Sequence, residues 1–218
     1  MIDHAPDLLE VRDQGMRGTC LAFAATAVHE HARHRRRARV CDQLSVELLF
    51  WRCKQLDGYP ADDGTTFQAA RAALSDPGQS AEALWPYDDA RDHTANYDAP
   101  TEALGADELR RATMEPIAAE LGAVRVALEA GHSLVVGIEL WDGFYDCGSA
   151  DLPAPNADLD GAGHAVCLVG FDEDRRSVKV RNSWGTRWGE HGYAWLSVDA
   201  LPEVLREAWT ADDDLDPH

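Results

Sequence analysis

A cysteine where a polar loop meets an apolar helix, a histidine at the start of an apolar strand, and an asparagine just after another strand could together do acyl-transfer chemistry. The first lies in Asp13–Ala24, DQGMRGTCLAFA, where a glycine-containing stretch runs straight into a buried helix with Cys20 at the junction. A thiol at a helix N-terminus feels the positive end of the macrodipole and the unpaired first-turn N–H groups. Both favour the thiolate. With a cationic partner, cysteines so placed have pKa values lowered from about 8.5 to roughly 3.5–7.5. Gln14 stands six residues before Cys20, near enough for its amide to point into the same space as the Cys20 backbone N–H. Two convergent N–H donors make an oxyanion hole, each worth about 2.7–4 kcal/mol of barrier. Taken alone, the segment reads first as a buried helix that happens to begin with a cysteine, because free cysteine is often plain core.

The second set is Gly161–Phe171, GAGHAVCLVGF, in which His164 precedes a strand and follows small residues that leave backbone close to open space. The third is Arg181–Tyr193, RNSWGTRWGEHGY. If Ala165–Gly170 and Ser177–Arg181 form a hairpin about Asp172–Arg176, antiparallel pairing puts Asn182 to Trp184 roughly opposite His164. An asparagine there can accept the imidazole N–H, fix the tautomer and aim the other ring nitrogen at a thiol. Trp184 would cover that hydrogen bond. A lone histidine beside a strand is usually structural; three such sets in one chain are not so easily explained.

DQGMRGTCLAFA resembles the Gln–Cys segment of papain-like cysteine peptidases, GAGHAVCLVGF their His segment, and RNSWGTRWGEHGYAWL their Asn-Ser-Trp-Gly segment, in the same order. LSVELLFWRC, ALWPYDD and GHSLVVGIELWDGFY are similar to weaker signatures of the family, so the resemblance runs from Leu9 to about Leu201. It implies a two-lobe α+β fold, a helical N-terminal lobe and a β-rich C-terminal lobe with the active-site cleft between them. It further implies Cys20 as nucleophile, His164 as base and acid, Asn182 as the group orienting His164, and Gln14 with the Cys20 N–H as oxyanion donors. Gly64 falls where the family has a glycine whose backbone pairs with substrate; Thr65 and Thr66 would wall a neighbouring pocket, and Gly163 would border the same peptide. The departures are Leu21, where secreted members have Trp, and Arg17, where they have a half-cystine. Cys53 matches another half-cystine, but no cysteine lies between it and Cys147 to serve as its partner.

These residues need elements to hold them. Ala22–Val28 is apolar on every side and so belongs to a buried helix, which turns polar through His29–Arg39. Ser45–Trp51 reads as a short helix capped by Ser45, and Thr65–Leu74 as another. A helix is expected over Ile117–Ala130, ended by Gly131. Strands follow at Ser133–Leu140, Ala165–Gly170, Ser177–Arg181 and Tyr193–Val198. The division expected is a helical lobe over 1–110 with Cys20, a β-rich lobe over 111–205 with His164 and Asn182, and an acidic, disordered tail over 206–218.

The 218 residues are 45% hydrophobic and 27% charged, enough for one large domain or two small lobes with real cores. A net charge of −19 argues against nucleic acid or an anionic membrane as partner. HEHARHRRRAR then reads as the solvated basic end of the Cys20 helix, where cations suit the dipole. No apolar run approaches the roughly 18 residues of a membrane span. The N-terminus lacks a signal-peptide pattern. The five cysteines show no metal-ligand spacing, so reduced thiols and a cytoplasmic location are expected. No cofactor is expected, the partner is an extended peptide or protein substrate, and the oligomeric state stays open. A chain beginning so near its nucleophile is expected to be assembled as translated, with Tyr145–Ala162 serving as a lid or as a plain insertion. The favoured reading is a cysteine endopeptidase that hydrolyses peptide bonds; a transpeptidase, amide ligase or deamidase using the same triad is the alternative, and an inactive peptide-binding module the non-enzymatic one. Asp88, Asp89 and Asp92 hint at basic substrates.

Overall fold

A run of alanines with Leu21, Phe23 and Val28 starts the first long helix, and every residue from Leu21 to Arg33 is buried. The computed structural model describes residues 1–37, 42–95, 97–105, 109–155, 159 and 161–214. In chain order the first elements are β1 (Ile2–Asp3), α1 (Cys20–Arg37), α2 (Val46–Leu56), α3 (Phe67–Ser75), α4 (Thr101–Leu104), β2 (Ala112–Ile117) and α5 (Leu121–Glu129). Then come β3 (Leu134–Glu139), α6 (Asp142–Tyr145), β4 (Gly163–Asp172), β5 (Ser177–Arg181), β6 (Tyr193–Ser197), α7 (Leu201–Val204) and β7 (Leu205–Asp213). The class is α+β. Among the described residues no helix is long and apolar enough to cross a membrane.

The chain divides into two units. One comprises Met1–Asp13 and Pro116–Thr210, the other Gln14–Glu115 and the segment from Ala211. The division therefore differs from lobes of 1–110 and 111–205: the first thirteen residues go with the strands, and the chain end goes with the helices.

In the helical unit, local chemistry sets the ends of the elements. Ser45 Oγ accepts the Leu48 N–H at 3.0 Å and caps α2, and Thr66 Oγ1 accepts from Ala69 N at 3.2 Å and caps α3. Leu48, Trp85 and Ala103 form a small core, with Trp51 and Tyr97 against it.

In the strand-rich unit β3 pairs antiparallel with both β4 and β7, and β4–β5–β6 continue the antiparallel run. The whole order is β2-β7-β3-β4-β5-β6, with β1 also on β4. Val136, Ile138, Trp141, Val166, Leu168 and Leu196 build the core under this sheet. The hairpin expected between β4 and β5 is present, with Asp172 opposite Ser177.

Two further expectations need correction. The helix expected from Ile117 begins at Leu121, because Ala112–Ile117 forms a strand, and Pro116 lacks the N–H that a helix interior would use. Gly131 does end this helix, with φ +89°. Residues 206–213 are not a tail but most of β7, in which Leu205, Ala208, Trp209, Ala211 and Asp213 are buried. Their acidic composition misleads because the one buried carboxylate, Asp213, is neutralised by arginines of α1. Residues 38–41 at the basic end of the Cys20 helix, residues 156–158 and Asp160 of the expected lid, and 215–218 lie outside the described residues.

Candidate active site

The helical unit carries one set of candidate residues. Cys20 is the first residue of α1 and is half-buried. It therefore stands where the sequence puts it, at the positive end of an 18-residue helix. Gln14 is only 6% exposed, and its Nε2 donates to the Arg17 carbonyl oxygen at 2.8 Å. The Thr19 N–H donates to the same oxygen at 2.8 Å. Tyr87 closes the loop from the other side: its hydroxyl donates to Gln14 O at 2.7 Å and lies 2.8 Å from Thr19 Oγ1.

Gly64 comes against this loop. A Cβ on Gly18 would meet Gly64 N at 2.6 Å, so the two backbones touch only because position 18 has no side chain. Gly64 itself has φ +84°, and its carbonyl accepts from Lys54 Nζ at 2.9 Å. Lys54 Nζ also donates to Asp62 O at 3.1 Å and to Asp57 Oδ2 at 2.8 Å, tying the loop down. The threonine hydroxyls point to local duties, Thr65 Oγ1 to Asp57 at 2.9 Å and Thr66 Oγ1 to the α3 cap.

The strand-rich unit carries a second set of candidate residues. Gly163, exposed at the start of β4, would meet nothing within 4 Å with an added Cβ, so the backbone beside His164 borders open space. His164 follows it and is 6% exposed. Its Nε2 lies 2.8 Å from Asn182 Oδ1, and the Ser183 N–H donates to that oxygen at 2.8 Å. Trp184 lies over the imidazole with ring centroids 4.7 Å apart, and Phe144 meets it edge-on at 5.7 Å. Burial among these rings holds the His164 imidazole down to about 4, with the Asn182 acceptor working in the opposite direction.

The structure thus brings His164, Asn182 and Trp184 together in one unit, and Gln14, Gly18, Cys20 and Gly64 along neighbouring loops of the other. Several supporting residues are not evident from the sequence. Arg17 and Glu47 form a buried pair at 2.8 Å, although the glutamate looks like an ordinary surface position of α2. Trp188 Nε1 donates to Phe144 O at 2.8 Å, and Tyr145 stacks on Trp184 at 5.7 Å with planes 16° apart. The aromatic cluster of WDGFY was the one available signal. Among the described residues no group of three or more His, Cys, Asp or Glu side chains could hold a metal ion.

The fold and these two constellations are those of a cysteine protease family. The profile described as papain family cysteine protease matches residues 3–204. The chain belongs to the papain family of cysteine proteases. It is 29% identical over 195 residues to cathepsin L of Sarcophaga peregrina, covering 84% of this chain and 53% of that protein. The chain spans 53–64% of the length of four curated relatives it matches. Xylellain, a cysteine protease from Xylella fastidiosa, has the same fold at TM-score 0.81 and 23% identity, over 97% of this chain and 85% of that one. A Carica candamarcensis cysteine protease, solved in complex with E-64, superposes at TM-score 0.74 and 19% identity over 98% of each chain.

Proposed function

We propose that the chain is a cysteine endopeptidase in which the Cys20 thiolate and the His164 imidazolium act as a pair. The observation that carries this reading is the 2.8 Å contact between His164 Nε2 and Asn182 Oδ1, which directs the other ring nitrogen, Nδ1, to proton transfer. Cys20 Sγ attacks the scissile carbonyl, forming the S–C bond, and the oxyanion is held by Gln14 and the Cys20 N–H. His164 gives its proton to the leaving amine as the C–N bond breaks. It then takes a proton from water, whose oxygen displaces Sγ from the acyl-enzyme and releases the acid.

The substrate is an extended peptide lying along Gly64 and Gly163, with Thr65 and Thr66 nearby. The working compartment is the cytoplasm, where unreduced, denatured protein should titrate as five thiols; three or fewer would remove that assignment. The direct test uses the epoxide E-64 and a fluorogenic peptide library. Wild-type protein should hydrolyse peptides and take up one E-64 on Cys20, while Cys20→Ser and His164→Ala should show no turnover. Gln14→Ala should lower kcat by about 10²–10³, and Asn182→Ala should retain measurable turnover. Full activity in Cys20→Ser, or E-64 bound to another cysteine, would remove the reading.

A further inference from the structure

Arg17 lies three residues before Cys20 and is buried, and both terminal nitrogens of its guanidinium are held. Nη1 and Nη2 donate to the two oxygens of Glu47, each at 2.8 Å, and Nη1 donates again to Asp88 O at 2.8 Å. The rings of Tyr87, Phe50 and Tyr97 surround it, with centroids 5.0, 5.5 and 5.9 Å from Cζ. Glu47 is equally held. It accepts from the Tyr97 hydroxyl at 2.6 Å and forms an ion pair with Arg91 Nη1 at 3.1 Å, and it sits in the first turn of capped α2.

A buried ion pair is weak evidence for stability, because desolvating both charges offsets much of their attraction. What this pair does supply is direction. A bidentate fork fixes both the position and the plane of the guanidinium, and through five bonds of side chain it fixes the Arg17 backbone. The Arg17 carbonyl is the acceptor for Gln14 Nε2 at 2.8 Å. An amide nitrogen carries two hydrogens; once the first is directed at Arg17 O, the planar amide sets the direction of the second.

We propose that the Arg17–Glu47 pair is a positioning clamp that aims the Gln14 amide at the oxyanion, with Arg17 and Glu47 as positioning residues. The proposal rests on the peptidase reading above, since an oxyanion donor matters only where an acyl group is transferred. A donor displaced by about 1 Å can cost on the order of 10² in rate, and the whole Gln14 contribution of roughly 10²–10³ is the ceiling for the clamp.

The test is a double-mutant cycle on kcat. Glu47→Gln, which keeps the shape and removes the charge, should lower kcat by about 10–100-fold with KM changed less than twofold. Arg17→Lys, which keeps the charge without the fork, should also lower kcat, by less. On a Gln14→Ala background, Glu47→Gln should cost less than a further twofold, because the group it aims is gone. Losses that multiply across the cycle, or a lowered melting temperature with unchanged kcat, would overturn the clamp. Hydrogen exchange across residues 14–20 gives the second readout and needs no turnover. Faster exchange there in Glu47→Gln or Arg17→Lys, with exchange over α5 unchanged, upholds the clamp; unchanged exchange over 14–20 overturns it. A wild-type chain that hydrolyses no peptide removes the peptidase reading, and the exchange result then decides whether the clamp stands as a fixture of the loop.

Discussion

Asn182 Oδ1 receives two hydrogen bonds, one from the Ser183 N–H and one from His164 Nε2, both at 2.8 Å. The backbone N–H can only donate, so the side-chain atom facing it is the oxygen and not the nitrogen. His164 must therefore donate through Nε2, and in the neutral ring Nδ1 is left as the acceptor. Asn182 Nδ2 is buried with no acceptor among the described residues, so the side chain's hydrogen bonding is concentrated in that oxygen.

Burial holds His164 down to about 4, whereas a thiolate–imidazolium pair requires it protonated near neutral pH. The proposed pair reconciles these only if the anion raises the histidine. In Cys20→Ala, then, the imidazole should titrate at about 4 by NMR, and in unmodified protein at least two units higher. The sign of the linkage follows: a folded pKa below the unfolded 6.5 means stability is full above 6.5 and lost as pH falls toward 4. In Cys20→Ala this loss should reach roughly 3 kcal/mol, and adding His164→Gln should remove it. Equal titration with and without the thiol would sink the ion pair.

Thiol reactivity should separate the cysteines sharply. Burial pushes the Cys53 thiol up to about 12, and Cys147 and Cys167 are also buried, while Cys20 is half-buried at a helix N-terminus. Iodoacetamide near neutral pH should label Cys20 first, at least tenfold faster than Cys53. Peptide mass mapping that shows equal labelling of Cys20 and Cys53 would contradict this.

The sequence makes the motif positions legible because each depends on a local rule. Cys20 begins α1, Ser45 caps α2, and the Asp172–Arg176 turn sets the β4–β5 register that delivers Asn182 to His164. Strand β7 is invisible to the same rules. Its acidic residues read as a solvated end, and only the arginines of α1, some 180 positions away, show why Asp213 can be buried. The Arg17–Glu47 pair is hidden for the same reason. A glutamate on a short helix looks solvated until a partner remote in sequence neutralises it. Trp184 was legible as the cover of the histidine bond, but Phe144 and Trp188 were not, since their packing depends on a loop with no periodicity.

Lys54 offers a separate test of the loop that carries Gly64. Burial pushes the Asp57 carboxyl upward, but the Lys54 ammonium, the Tyr59 N–H and the Thr65 hydroxyl outweigh it and hold the group below the usual range. Lys54→Met should strand that carboxylate and release the carbonyls of Asp62 and Gly64. Global stability in urea should fall by about 3–5 kcal/mol. If Gly64 pairs with substrate, KM should rise severalfold with a smaller change in kcat. An unchanged KM would mean that the loop holds its shape without the lysine, and that Gly64 gains nothing from the tether.

Asp213 anchors the end of β7 to the basic end of α1. Its side chain has no solvent contact, with Arg33 Nη1 at 3.4 Å, Arg37 Nε at 3.5 Å and His29 Nε2 at 3.7 Å, while Arg36 donates to its backbone carbonyl. Burial raises the carboxyl's pKa, and the nearby His29 imidazole with the charges of Arg33 and Arg37 overcomes it, leaving the net shift downward. A depressed folded pKa contributes stability above the unfolded value near 4, and that contribution is lost as pH falls through the folded value. Asp213→Ala should therefore cost about 3–5 kcal/mol at pH 7, because it leaves buried cations without their anion. The gap to wild type should narrow as the pH is lowered below 4. Asp213→Asn should behave in the same direction with a smaller loss. Urea denaturation at pH 7 and pH 3.5 decides it: a constant gap at both pH values would show that Asp213 acts through packing alone, and no gap at pH 7 would show that the arginines are satisfied without it.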